Sequence, residues 1–227
     1  MANFNKNEIV RKLRSLGSEK DRKGMARFGI KTENAFGISV VELRKLAKTI
    51  GTDHLLARDL WNSGYHEARL LASFIDDPDE VSEGQMERWA RAFDSWDLCD
   101  QCCGFLFDKT PYARRKAMEW SRRKEEFVKR AGFVLMAALS VHAKDLDDDV
   151  FVKFFPRIIA ESDDERNFVK KAVNWALRQI GKRNDRLNSR AIAAARTIAS
   201  RGTRSSKWIA ADALRELTDP KTRRRLT

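Results

Sequence analysis

The segment Glu126-Phe127-Val128-Lys129-Arg130-Ala131 returns 41 residues later (127 to 168) as Asn167-Phe168-Val169-Lys170-Lys171-Ala172. A weaker third copy, Trp208-Ile209-Ala210-Ala211-Asp212-Ala213, follows at the same offset (172 to 213). A period near 40 belongs to stacked helical pairs, in which no single pair can bury its apolar face alone. Self-similarity therefore restricts the chain to a repeat architecture. Phe127 with Ala131, and Phe168 with Ala172, stand at i and i+4 and are expected to pack inward, the small alanine letting a neighbouring helix approach. The basic pairs Lys129-Arg130 and Lys170-Lys171 lie between those positions and are expected to project from one edge in successive repeats. The alternative is that they are solvated flanks of amphipathic helices.

The rest of the chain agrees with a helical reading. Apolar residues recur at helical spacing in Val41–Ile50, His54–Ser63, Tyr65–Ile75, Gln85–Phe93, Trp96–Phe107, Tyr112–Arg122, Glu126–Ala143, Asp149–Ala160, Glu165–Lys182, Arg186–Ala199 and Ser205–Leu217. Between them stand breakers such as Gly51-Thr52-Asp53, Asp76-Asp77-Pro78 and Lys109-Thr110-Pro111. With 4 prolines and 11 glycines in 227 residues, the chain has too few special turns for an all-β fold. Short connections favour antiparallel neighbours. The expected fold is all-α: a curved α-solenoid of antiparallel HEAT-like helical pairs with a basic concave face. One domain is expected over 1–227, with 1–24 as a looser N-terminal helical cap.

A formal net charge of +12 points to a polyanionic partner. No run of ~18 apolar residues suggests a membrane span, and Met1-Ala2-Asn3-Phe4-Asn5-Lys6 lacks the apolar stretch of a signal peptide. A cytoplasmic address follows, with nucleic acid as the polyanion. The three cysteines, Cys99, Cys102 and Cys103, crowd one segment. Zinc would need a second ligand pair, and His54, His66 and His142 are scattered, so the cysteines read as small buried core residues and no metal is expected.

The segment Asp94-Ser95-Trp96-Asp97-Leu98-Cys99-Asp100 carries the candidate chemistry. Trp96 and Asp100 stand four apart and share a helix face. With Asp94 as N-cap, Asp97 falls at the third helical position, where an acid serves as a cap. Asp100 lies past the first turn on a mostly apolar face. It reads either as the partner of an arginine on a neighbouring helix or as a functional acid. Trp175 fits a core stripe with Phe168 and Ala172, and Trp61, Trp89, Trp120 and Trp208 also read as core. Arg178 lies on a polar face and could grip phosphate or stand in water. The tail Lys221-Thr222-Arg223-Arg224-Arg225 is assigned no chemistry.

Three segments together, Ser95-Trp96-Asp97-Leu98-Cys99-Asp100, Phe127-Val128-Lys129-Arg130-Ala131-Gly132 and Phe168 to Arg178, resemble the AlkD-like family of DNA alkylation-repair glycosylases, which are HEAT-like helical solenoids. The resemblance runs from Met25 to about Leu217. It implies that Asp100 matches the family's catalytic aspartate, that Trp96 and Trp175 match its two active-site indoles, and that Arg130 matches an arginine on the DNA backbone. Lys129, Lys170, Lys171 and Arg178 would hold DNA around them. Phe28 stands where a site tyrosine is expected, and Ser95 stands in place of a second aromatic. The implied activity is excision of cationic N3- or N7-alkylated purines from duplex DNA, without a cofactor, by a monomer with no obligate protein partner, nucleoid-associated when bound. A non-catalytic nucleic-acid binder and a protein-interaction scaffold are the alternatives.

Overall fold

The computed structural model describes residues 4–226. The extreme N-terminal residues 1–3 of the expected cap and signal-free leader, and residue 227, lie outside the described residues. Among the described residues every regular element is helical, as the periodicity predicts. None of these helices is long and apolar enough to cross a membrane. The chain divides into two compact units, one through Thr110 and one from Pro111 onward.

The first unit contains α1 (Lys6–Leu16), α2 (Glu19–Ala26), α3 (Val40–Ile50), α4 (His54–Asn62), α5 (His66–Ile75), α6 (Glu83–Arg91) and α7 (Trp96–Phe105). Local chemistry sets their ends. Asn5 and Glu8 close a capping box on α1. Gly51 ends α3 at φ +81°, and Asp53 caps α4 by accepting the Leu56 N–H at 2.9 Å. Helix α5 is the centre of this unit, packed by α3, α4 and α7. Helix α1 also packs on α4 and α5 and buries Ile9 and Leu13. Trp61 of α4 stacks on Trp89 of α6 at 3.9 Å between ring centroids. Below them the buried carboxylate of Asp76 accepts from Gln85 at 2.7 Å and meets His54 Nδ1 at 2.6 Å, so one acid ties together α4, α5 and α6. Cys99, Cys102 and Cys103 are fully enclosed, and burial pushes the thiols of Cys102 and Cys103 far up.

The second unit contains α8 (Ala113–Trp120), α9 (Glu126–His142), α10 (Asp148–Val152), α11 (Phe155–Ala160), α12 (Asn167–Gly181), α13 (Asp185–Ala199), α14 (Arg204–Leu217) and the short α15 (Pro220–Arg223). The expected helix Asp149–Ala160 is two helices. Pro156 starts the second, and its ring cannot follow a helical carbonyl at Val152 four residues back, where α10 ends. Helix α9 packs on α8 and α12, and α12 packs on α13 and α14. The approach of α9 to the end of α8 needs Gly132. A Cβ there would lie 2.3 Å from the backbone nitrogen of Ser121.

The internal repeat is structural. Val128 and Ala131, Val169 and Ala172, and Ala210 and Ala213 occupy matching buried positions on α9, α12 and α14. The expectation for the phenylalanines needs correction. Phe127 and Phe168 are half-buried and lie against each other at 5.6 Å along the repeat edge, because the adjacent valines take the inward direction. Trp208 is likewise not core but 41% exposed.

Candidate nucleic-acid interface

In the first unit the site grows from the first residues of α5 and α7. Helix α7 begins after Ser95, so Asp97 is its second residue, one position earlier than capping from Asp94 would require. Its carboxylate turns instead to the buried imidazole of His66, 2.9 Å from Nε2. Burial pushes His66 down, but the bond to Asp97 and the charges of Asp97, Glu67 and Asp94 outweigh it and hold the imidazole above its ordinary value. Burial pushes Asp97 up, and the bond and charge of His66 hold it below the usual carboxylate range. Each partner therefore favours the charged form of the other.

The same two helix starts fix the segment between α2 and α3. Glu67 is fully buried, and its carboxylate accepts the backbone N–H groups of Phe36, Gly37 and Ile38 at 2.8, 2.7 and 3.2 Å. The His66 N–H donates to the Asn34 carbonyl at 2.9 Å. Gly37 has φ +81°, and a Cβ there would meet the Ser18 carbonyl oxygen at 2.2 Å, so only glycine fits. The indole N–H of Trp96 donates to the carbonyl of Phe28 at 3.0 Å. The segment is held near both ends and presents Phe28 with 69% of its surface exposed. Behind Phe28 and Trp96 opens a cavity of about 460 Å³, walled by Met25, Ile30, Val40 and Leu70 and edged by His66, Asp97 and Gln101. Asp100 lies one turn beyond Trp96 on α7 and is half-buried. Its charge adds to the burial that pushes the Cys103 thiol up.

The second unit holds the repeated basic residues, and it treats them unequally. Lys129 is nearly enclosed and paired with Glu161 at 2.5 Å and Asp164 at 3.3 Å. Arg130 is buried and donates to the Phe168 carbonyl at 2.5 Å. The first basic pair thus does not project as the repeat suggested. The reason is visible one repeat on. The positions equivalent to Glu161 and Asp164 are Gly202 and Ser205, which carry no charge. Lys170 instead lies over the Trp208 ring at 5.7 Å, while Lys171 is exposed. Arg178 is paired with Glu216 at 2.6 Å and Asp212 at 3.4 Å, and Lys182 meets Glu216 at 2.6 Å. These ties join α12 to α14, so Arg178 does not stand free in water. Trp175 is half-buried, outside the full core that its stripe suggested.

A family model described as "DNA alkylation repair enzyme" matches residues 9–217. The chain belongs to this family. The chain is also similar to a solved structure reported under "A new family of proteins related to the HEAT-like repeat DNA glycosylases with affinity for branched DNA structures". That likeness has 20% sequence identity and a TM-score of 0.78, covering 93% of this chain and 95% of the other. It establishes the HEAT-like all-α fold. No curated protein matches the sequence.

Sequence reasoning about this chain missed His66, Glu67 and Gln101. A carboxylate directly after a histidine at a helix start gives no periodic signal, because both side chains serve partners about 30 residues away. The spacing of Trp96 and Asp100 was legible, since both stand on one helix.

Proposed function

We propose that this protein is a DNA glycosylase that removes purines made cationic by N3 or N7 alkylation from duplex DNA. Such a base already carries the charge that makes it a good leaving group, so no metal or organic cofactor is needed. The C1′–N bond breaks with its electron pair going to the base, which leaves neutral. Positive charge grows on the deoxyribose. Asp100 stabilises that charge and takes up the proton lost by the water whose oxygen bonds to C1′. At ~4 Å and an effective dielectric of ~20, a carboxylate contributes about 4 kcal/mol to such a centre. That corresponds to roughly a thousandfold in rate.

Trp96 offers its indole face to the cationic lesion, contributing roughly 0.5–2 kcal/mol, and the family resemblance gives Trp175 of the second unit the role of a second such indole. Phe28 presents an exposed ring beside Trp96 and packs against the opened stack. Lys170 and Lys171 hold phosphates. Lys129 ties α9 to the stretch between α11 and α12, Arg130 ties α9 to α12 and Arg178 ties α12 to α14, while the family resemblance gives Arg130 the role of a DNA-backbone contact. The observation that carries this reading is the pairing on α7 of a half-buried acid with an indole one turn away, in a chain of the DNA alkylation repair family.

The test is release of 7-methylguanine from methylated duplex DNA. Asp100→Asn is expected to abolish release while DNA affinity stays equal or rises. Unchanged release removes Asp100 from the chemistry. A second reading, DNA binding without excision, is favoured by the structural relative described as having affinity for branched DNA. Tight DNA binding by a wild-type protein that releases no base would support it.

A further inference from the structure

A second groove of the first unit, about 310 Å³, lies between the C-terminal half of α3 and the ends of α5 and α7. Its wall is an aromatic pair, Phe74 and Phe105, whose rings meet edge to face at 5.2 Å. Phe105 is 37% exposed. Arg44 lies over the Phe105 ring at 4.3 Å and is steered there by Gln101, whose side-chain oxygen accepts its N–H at 3.1 Å. Lys48, one turn further on α3, is exposed on the same rim. Ala47 and Gly51 keep the opposite wall low, and a Cβ at Gly51 would meet nothing within 4 Å. Two cations and an aromatic pair line the groove, with no acid among the described lining residues.

We propose that this groove binds one unpaired nucleotide of a DNA strand leaving the duplex. The planar Arg44 guanidinium already lies over Phe105, so a base stacks on this guanidinium–phenyl layer while Lys48 takes its phosphate, which is the general chemistry of single-strand binding. Gln101 connects the two places, because it also edges the Phe28–Trp96 cavity. Trp96 and Phe105 stand nine residues apart on one helix, about 13 Å along its axis. That is about four steps at the ~3.4 Å spacing of one strand of DNA. The protein would therefore prefer duplex that opens into a single strand a few nucleotides from the bound site. This proposal rests on the DNA-binding part of the reading above and not on excision.

The test compares the full chain on a blunt duplex and on the same duplex extended by a single-stranded arm of thymidines, by fluorescence anisotropy. The armed DNA is expected to bind at least about fivefold tighter, the scale of one base on one aromatic ring. Phe105→Ala and Arg44→Gln should erase that advantage and leave the blunt duplex within about twofold of wild type. Lys48→Gln, at an exposed position, should reduce it and flatten the salt dependence for armed DNA only. Equal binding of the two DNAs by the wild type overturns the proposal, as does an advantage that survives all three substitutions. If the wild type binds neither DNA, the functional reading falls with it. If it binds blunt duplex without an arm preference, only this proposal falls.

Discussion

The indole nitrogen of Trp96 and the carbonyl oxygen of Phe28 lie 3.0 Å apart across 68 residues of sequence. This bond places the first residue of α7 against the segment that follows α2. It makes one aromatic cavity out of two elements that are remote in the chain. Trp96→Phe keeps a ring but loses the donor. We expect faster amide hydrogen exchange in residues 27–36, with a drop in base release larger than the drop in thermal stability. Unchanged exchange would show that the contacts of Glu67 hold the segment alone.

Glu67 neutralises three backbone donors at once. Glu67→Gln replaces a charged acceptor with one that presents an amide donor to the same N–H groups. The expected cost is about 2–3 kcal/mol, read as a lower midpoint in urea denaturation. An equal midpoint would mean that the segment rearranges freely.

The His66–Asp97 pair predicts how stability changes with pH. The folded His66 is held above its unfolded value of 6.5, so its contribution is complete below 6.5 and is lost as pH rises through the folded value. The folded Asp97 is held below its unfolded value of 3.8, so its contribution is present above 3.8 and is lost as pH falls through the folded value. Wild type should therefore exceed Asp97→Asn in melting temperature most clearly between pH 3.8 and 6.5, with the gap narrowing as pH rises above 6.5 through the folded His66 value. A gap independent of pH would deny the ion pair its role.

Lysines one repeat apart should behave differently. Lys171→Ala is expected to weaken DNA binding by a few fold and to reduce the salt slope by about 1, because it removes an exposed cation. Lys129→Ala removes the partner of Glu161 and Asp164 instead. It should cost stability by about 1–3 kcal/mol and leave the salt slope unchanged. The reverse pattern would restore the outward basic pair that the repeat suggested.

Close packing in the second unit gives a further measurement. Gly132→Ala forces a Cβ to within 2.3 Å of the Ser121 backbone nitrogen, which no side-chain rotation relieves. Overpacking of this kind costs about 1–3 kcal/mol, and here the atom that must yield is backbone. A mutant melting at the wild-type temperature would show that α8 and α9 can separate without penalty.

The contrast between Trp120 and Trp208 shows where sequence reasoning stops. Both stand at helical spacing among apolar neighbours. Trp120 is fully buried, yet Trp208 near the start of α14 is 41% exposed with Lys170 over its ring. Likewise Val128 and Val169, rather than the larger phenylalanines beside them, point into the core. Period alone identifies an apolar stripe but not which of two adjacent apolar residues faces inward. That depends on the angle at which the next helix crosses.

Unaided, the sequence determined an all-helical repeat chain, most of its breaks, and the Trp96–Asp100 spacing, because 3.6-residue periodicity and capping are local properties of the backbone. The tertiary structure alone decided which cations are spent on internal acids and which face solvent. It also decided that His66 edges the Phe28–Trp96 cavity while Glu67 holds the backbone of residues 36–38 beside it. A charge is neutralised by whatever folding brings within a few ångströms, and for Lys129, His66 and Glu67 those partners come from about 30 residues away.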